Sequence, residues 1–141
     1  MAMKKHVEIQ FASDPALLCI VRAAVGQMCH VAGFNKRTCS KIVLALDEAC
    51  SNIIRHAYHQ ETNHTIRLVS GIDDEKIEFT LLDTGTPIDV AKIKSRQLDE
   101  IRPGGLGVYL IKSVMDFTEW SFAEKSGNKL YMYKIIPRGN N

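Results

Sequence analysis

Leu46-Asp47-Glu48-Ala49-Cys50-Ser51-Asn52-Ile53-Ile54-Arg55-His56-Ala57-Tyr58 is the stretch on which the reading of this chain turns. Successive helical residues are rotated by about 100°. On that wheel Ile42, Leu46, Ala49, Ile53 and Ala57 form the centre of one apolar stripe. Glu48 and Asn52 are four apart and stack on one face, at the edge of the stripe beside Ala45. Asp47 and Ser51 take the other polar sector. A carboxylate and an amide at the rim of a buried face can point together into a cleft. The amide oxygen of Asn52 is a hard, neutral ligand suited to Mg²⁺, and the carboxylate of Glu48 can accept a proton from a hydroxyl. Taken alone, the pair reads more simply as a surface Glu and an Asn tolerated at modest propensity cost.

Working outward, Asn35 is a candidate N-cap, and the helix it opens continues to about Tyr58. An earlier helix starts at Ser13-Asp14-Pro15 and runs to about Ala32, with Gly33 at the left-handed C-cap position. His6–Phe11 alternates, with Val7, Ile9 and Phe11 on one side, and reads as a strand. Downstream, Thr65–Ile72 and Lys76–Leu82 form a hairpin about Asp73-Asp74. Pro87 to Pro103 is a polar loop with one short helical turn at Val90–Lys94. A third helix covers Val108 to about Met115. Strands Phe117–Ala123 and Lys129–Ile136 follow, with Ser126-Gly127-Asn128 as their turn. The order β-α-α-β-β-loop-α-β-β predicts an α+β fold. It is a two-layer sandwich, with three helices on one face of a mixed, mostly antiparallel sheet.

Two further features carry chemistry. Leu81-Leu82-Asp83-Thr84-Gly85-Thr86-Pro87 ends an apolar strand in an aspartate, with a glycine two residues on. A carboxylate there can accept a hydrogen bond from an exocyclic amine such as adenine N6, and Gly85 lets the backbone turn and approach a base closely. The same residues are also an ordinary turn. Arg102-Pro103-Gly104-Gly105-Leu106-Gly107-Val108 opens the third helix. Its backbone N–H groups and the positive end of the helix dipole make an anion site suited to phosphates. No Lys-Ser/Thr follows, so it is not a Walker loop, and no βαβ unit surrounds it as a dinucleotide fingerprint requires. Arg102 stands either as a charge-assisted contact to a terminal phosphate or as a solvated loop cation.

Length and composition bound these readings. The 141 residues favour one domain spanning 1–141. A net charge of +2 with scattered Lys and Arg excludes a basic arm, so no direct nucleic-acid partner is expected. No apolar stretch is read as spanning a bilayer and the N-terminus lacks a signal peptide's apolar core, so no membrane partner is expected. Cys19, Cys29, Cys39 and Cys50 show no Cys-x-x-Cys spacing and read as small buried hydrophobes in a reducing cytoplasm.

The order and spacing of the three motifs resemble those of a known superfamily, the GHKL ATPases of the Bergerat ATP-binding fold, which include gyrase, Hsp90, the histidine kinases and MutL. Glu48-x-x-x-Asn52 looks like its N box. Asp83-Thr84-Gly85 looks like its first glycine box, whose Asp reads adenine, and Gly105-Leu106-Gly107 like its second, which closes over the phosphates. Residues 46–58, Gly104–Ile111 and Met115-Asp116 are similar to one subgroup, the stand-alone anti-sigma-factor serine/threonine kinases (RsbW type).

That resemblance implies ATP and Mg²⁺ as cofactors and phosphoryl transfer to a Ser or Thr of a protein antagonist. Glu48 would be the catalytic base and Asn52 the Mg²⁺ ligand. Asp83 and Gly85 would meet the base, while Arg102, Gly104, Gly105, Leu106 and Gly107 would surround the phosphates. The loop before Gly104 would act as an ATP lid. The implied partners are a sigma factor and a STAS-type anti-sigma-factor antagonist that compete for a homodimer. A phosphoacceptor-histidine hairpin has no room here, so His56 and His59 are read as rim or surface residues. Two other functions share the pocket: a module that uses ATP to grip a partner without transferring phosphate, and a switch kinase with a target outside sigma control. Two departures stand out. Pro87 replaces a frequent glycine and stiffens its loop, and Asn128-Lys129 stands where such proteins often place a Thr supporting the adenine site, leaving that support unassigned.

Overall fold

The computed structural model describes residues 4–95 and 106–138. Strand β1 (Lys5–Ala12) leads into a 3-10 turn at Pro15–Leu17, which Asp14 caps by accepting a bond from Ala16 N at 2.9 Å. Helix α1 covers Leu18–Ala32 and closes on Gly33, whose φ of 100° is available to glycine without strain. Asn35 Oδ1 accepts from Thr38 N at 2.9 Å and opens α2 (Lys36–Asn52). The chain continues through β2 (Thr65–Ile72), β3 (Lys76–Asp83), α3 (Val90–Ser95), α4 (Leu106–Val114), β4 (Phe117–Ala123) and β5 (Gly127–Ile135).

The strands form one sheet in the order β1-β2-β3-β5-β4, and every pairing is antiparallel. The last strand therefore sits inside the sheet rather than at its edge. Alternate residues Ile66 and Leu68, Ile77, Phe79 and Leu81, and Leu130 and Met132 are buried in one core with Val21, Val25, Ile42, Leu46, Ala49 and Ile111 of the helices. Full burial of each large side chain contributes roughly 1.5–3 kcal/mol. On alternate positions, Phe117, Tyr131 and Tyr133 form a ring cluster with centroids 5.3 to 6.2 Å apart. The expected α+β fold is thus present, its sheet wholly antiparallel rather than mixed, with α3 as the short helical turn expected near Val90.

Four sequence expectations change. The second helix is not α-helical to Tyr58: α2 stops at Asn52 and Ile53–Ala57 forms a π-helical turn. The extra residue in that turn rotates the stripe, so Ile54 is 2% exposed in the core while Ile53 faces a cavity. Asn128 belongs to β5 rather than to the preceding turn, which lies at residues 124–126. Pro15–Ala32, 18 residues of mean hydropathy 1.4, is long and apolar enough to cross a bilayer by length and composition. Here it packs on α2 through Val21, Val25 and Met28, and Arg22 within it donates to Asp47 Oδ1 at 2.8 Å. Finally, Cys19 is exposed and Cys39 half-buried. Cys29 and Cys50 are buried, and that burial pushes both thiols up to about 12.

Candidate functional site

Asp83 is the last residue of β3 and lies opposite Asn128 of β5. Both are buried, at 5% and 2% exposure, so their polar atoms need partners. Asn128 Nδ2 donates to Asp83 Oδ1 at 2.8 Å and to Thr86 O at 2.9 Å, while Asn128 Oδ1 accepts from Ile88 N at 2.9 Å. One amide thereby clamps the chain on both sides of Pro87. Asp83 Oδ1 also accepts from Gly85 N at 2.9 Å. Among the described residues no donor reaches Asp83 Oδ2, and Asp83 lines a cavity. Burial raises the Asp83 carboxyl above its ordinary range, and the bonds from Asn128 and Gly85 pull it back down.

The π-helical turn holds the other side of this loop. Ala57 O accepts from Thr86 N at 2.9 Å, and Tyr58 Oη accepts from Thr84 N at 2.9 Å while donating to Thr65 O at 2.7 Å. His59 Nε2 pairs with Thr86 Oγ1 at 2.8 Å. Gly85 lies so close that an added Cβ would fall on Ala57 O. Gly127, at φ 84°, passes Asp83 O just as closely. Residues 83–88 are therefore stitched between a helix end and the inner strand β5 before any ligand arrives.

At the helix rim, Glu48 and Asn52 do lie together, as their spacing requires. A third residue joins them: Arg55 Nη2 donates to Asn52 Oδ1 at 2.8 Å and to Glu48 Oε1 at 3.1 Å. Gly107, near the start of α4, lies against this carboxylate, and a Cβ there would fall on Glu48 Oε1. Asn52 and Asp83 line one cavity of about 400 Å³, a size suited to a small ligand, and Glu48 and Gly107 lie beside Asn52 outside its wall. Its wall includes Asn52, Asp83, Ile88, Ile111, Trp120 and Asn128.

Of the sequence candidates, Asn52 and Asp83 line the cavity, Gly85 closes against Ala57, and Glu48 meets Gly107. Leu106 begins α4. Arg102, Gly104 and Gly105 lie outside the described residues. His56 lines the cavity wall, consistent with a rim position. Sequence reasoning passed over Arg55 and Trp120 and left the supporting role at Asn128 unassigned, a role its three bonds now fill. Gly127-Asn128 carries ordinary turn chemistry, so nothing local marks Asn128 as a clamp. Arg55 did carry a signal, because 48, 52 and 55 share one helical stripe.

The donor chemistry fits a hard cation, since two oxygens from one helix converge on a single cationic nitrogen. Among the described residues no three of His, Cys, Asp and Glu gather to hold a metal by themselves. Mg²⁺ at Asn52 would therefore complete its shell with water and nucleotide phosphates.

A cavity against an antiparallel sheet, lined by the buried carboxylate of Asp83 and by Asn52 of α2, fits a nucleotide-binding α+β domain. Residues 11–134 match the histidine kinase-like ATPase domain, and the chain belongs to that family. It is similar to serine-protein kinase RsbW of Bacillus velezensis, 25% identical over 139 residues that cover 93% of this chain and 86% of that protein. RsbW of Oceanobacillus iheyensis is 26% identical over 124 residues, 82% of this chain and 78% of its own length. RsbW of Bacillus subtilis is 24% identical over 139 residues, 93% and 86% of the two chains.

Proposed function

We propose that this chain is an ATP- and Mg²⁺-dependent protein serine/threonine kinase that also acts as an anti-sigma factor, phosphorylating a STAS-type antagonist. The observation that carries the reading is one cavity lined by both Asn52 and Asp83, with Glu48 gathered to Asn52 by Arg55 and packed against Gly107. Similarity to serine-protein kinases over most of the chain supports the same class. In this reading Asp83 Oδ2 accepts the exocyclic amine of adenine, and Asn128 aims that carboxylate. Gly85 permits close approach of the base. The amides at the start of α4 face phosphate, and Glu48 takes the proton of the attacking hydroxyl. Asn52 would hold Mg²⁺, which would supply charge neutralisation at the phosphoryl group. The proposal extends to a cytoplasmic homodimer for which sigma factor and antagonist compete.

The direct test mixes purified protein, γ-labelled ATP, Mg²⁺ and a small antagonist domain bearing a central Ser or Thr. Label on that residue is expected. ATP binding without any label would leave the partner-gripping module as the function. Asn52→Ala is expected to weaken Mg²⁺-dependent ATP binding about tenfold or more, the scale of a lost charged contact. Unchanged binding would refute its role as ligand.

A second result concerns the base. Burial holds the Asp83 carboxyl above its unfolded value, so its contribution to stability is complete below the unfolded pKa and lost as pH rises through the folded one. Neutralising it by Asp83→Asn is expected to raise the melting temperature of the nucleotide-free protein at neutral pH by about 2–4 °C. Gly85 N and Asn128 Nδ2 are both donors, so Asn at this position must turn its oxygen toward them and its amine toward the cavity. Preference should then move from ATP toward ITP, whose 6-oxo group accepts. An Asp83→Asn protein that keeps the natural ATP-over-ITP ratio would defeat the assignment.

A further inference from the structure

One nitrogen atom, Arg55 Nη2, stands 2.8 Å from Asn52 Oδ1 and 3.1 Å from Glu48 Oε1. We propose that Arg55 is an internal counter-cation of this pair, which competes with Mg²⁺ for Asn52 Oδ1 and so sets the Mg²⁺ requirement of nucleotide binding. The inference rests on the reading of the cavity as an ATP–Mg²⁺ site.

Three observations carry it. The contact is convergent, because the same nitrogen serves both oxygens and positive charge sits where the two side chains meet. Mg²⁺ binds oxygen at about 2.0–2.1 Å, keeps a near-octahedral shell and gives up its waters reluctantly. That shell and the guanidinium claim the same space around one neutral carbonyl, and two cations there repel.

Second, the pair can open. The Arg55 side chain is 41% exposed and that of Glu48 27%, and ion pairs in contact with water are weakly held. Third, Arg55 is the member able to leave. Asn52 closes α2, and Glu48 is backed by Gly107, where not even a methyl group fits. The Glu48 carboxylate is packed against α4 at Gly107, whereas Arg55 reaches in on a long, half-exposed side chain from the π-helical turn. Arg55 is thus a positioning residue, acting through Asn52 and Glu48.

The test measures equilibrium dialysis of labelled ATP against the full chain across a Mg²⁺ titration. It compares the natural protein with Arg55→Gln and Arg55→Lys, each checked for folding by thermal melting. Arg55→Gln is expected to lower the half-saturating Mg²⁺ concentration about three- to tenfold, the scale of an exposed charge-assisted contact. Arg55→Lys keeps the charge and should stay within about twofold of the natural protein. A merely structural arginine would not move the Mg²⁺ requirement downward and be rescued by lysine. An Arg55→Gln protein that binds ATP with an unchanged or higher Mg²⁺ requirement overturns the proposal, as does a lysine variant that behaves like the glutamine one. A natural protein that binds no ATP at any Mg²⁺ concentration overturns the reading of the cavity itself, which is a separate result.

Discussion

Glu48→Gln is expected to slow phosphoryl transfer to a Ser or Thr acceptor by about 100- to 10,000-fold, the range general-base removal covers. ATP binding should persist, because Gln has the same length and its oxygen can still accept from Arg55 Nη2, as Glu48 Oε1 does at 3.1 Å. What the amide cannot do is take a proton. The separation matters because Glu48 sits at the rim beside Gly107, away from the Asp83 end that would read the base. Single-turnover transfer of γ-label, measured beside ATP affinity on the same preparation, resolves the two effects. A variant that transfers at more than a tenth of the natural rate would remove Glu48 as the base. Loss of transfer and binding together would recast it as a binding residue.

Gly85→Ala is expected to cost about 2–4 kcal/mol of stability and to weaken ATP binding at least about tenfold. The reason is space. The new methyl would fall on Ala57 O and lie 2.6 Å from Ala57 C. Those atoms are backbone of the π-helical turn and cannot swing aside like a side-chain end. Relief requires breaking the 2.9 Å bond from Thr86 N to Ala57 O, and Thr86 O is itself held by Asn128 Nδ2 at 2.9 Å. The damage therefore spreads to the Asp83 clamp. Thr84→Ala is the control, since Thr84 is exposed and its tie to Tyr58 runs through backbone N–H. Its effect should stay within about 0.5 kcal/mol, as at ordinary surface sites. Thermal melting and nucleotide titration of both variants check the contrast. Equal melting temperatures would show that the close approach at Gly85 is not needed.

Much of this architecture was legible in the residues, for identifiable reasons. Helical rotation places Glu48 and Asn52 together whatever the tertiary context, and strand alternation separates Ile77, Phe79 and Leu81 from their polar neighbours. Asp83 and Gly85 were visible as a strand end. The π-helical turn was not, because one extra residue leaves no periodic mark and Ile53 fits an uninterrupted α-helical stripe as well as Ile54 fits the real one. The role of Asn128 was hidden differently. Its three bonds go to Asp83, Thr86 and Ile88, some 40 residues away, and strand pairing at that distance is invisible to local pattern. Trp120 likewise reaches the cavity only through the placement of β4 beside β5.

The position of β5 inside the sheet has a consequence for how the molecule is made. Asn128 is synthesised after Glu48, Asn52, Asp83 and Gly107, and it meets Asp83 only when β5 inserts between β3 and β4. A growing chain that ends near Met115 already carries α2 and α4 and the ties from Ala57, Tyr58 and Gly85 to the Asp83 loop, yet lacks the Asn128 clamp. Cellular ATP can stabilise the fold by mass action only once a competent site exists. The clamp that completes the Asp83 loop thus arrives only with the final strand, after every other element of the cavity has been made.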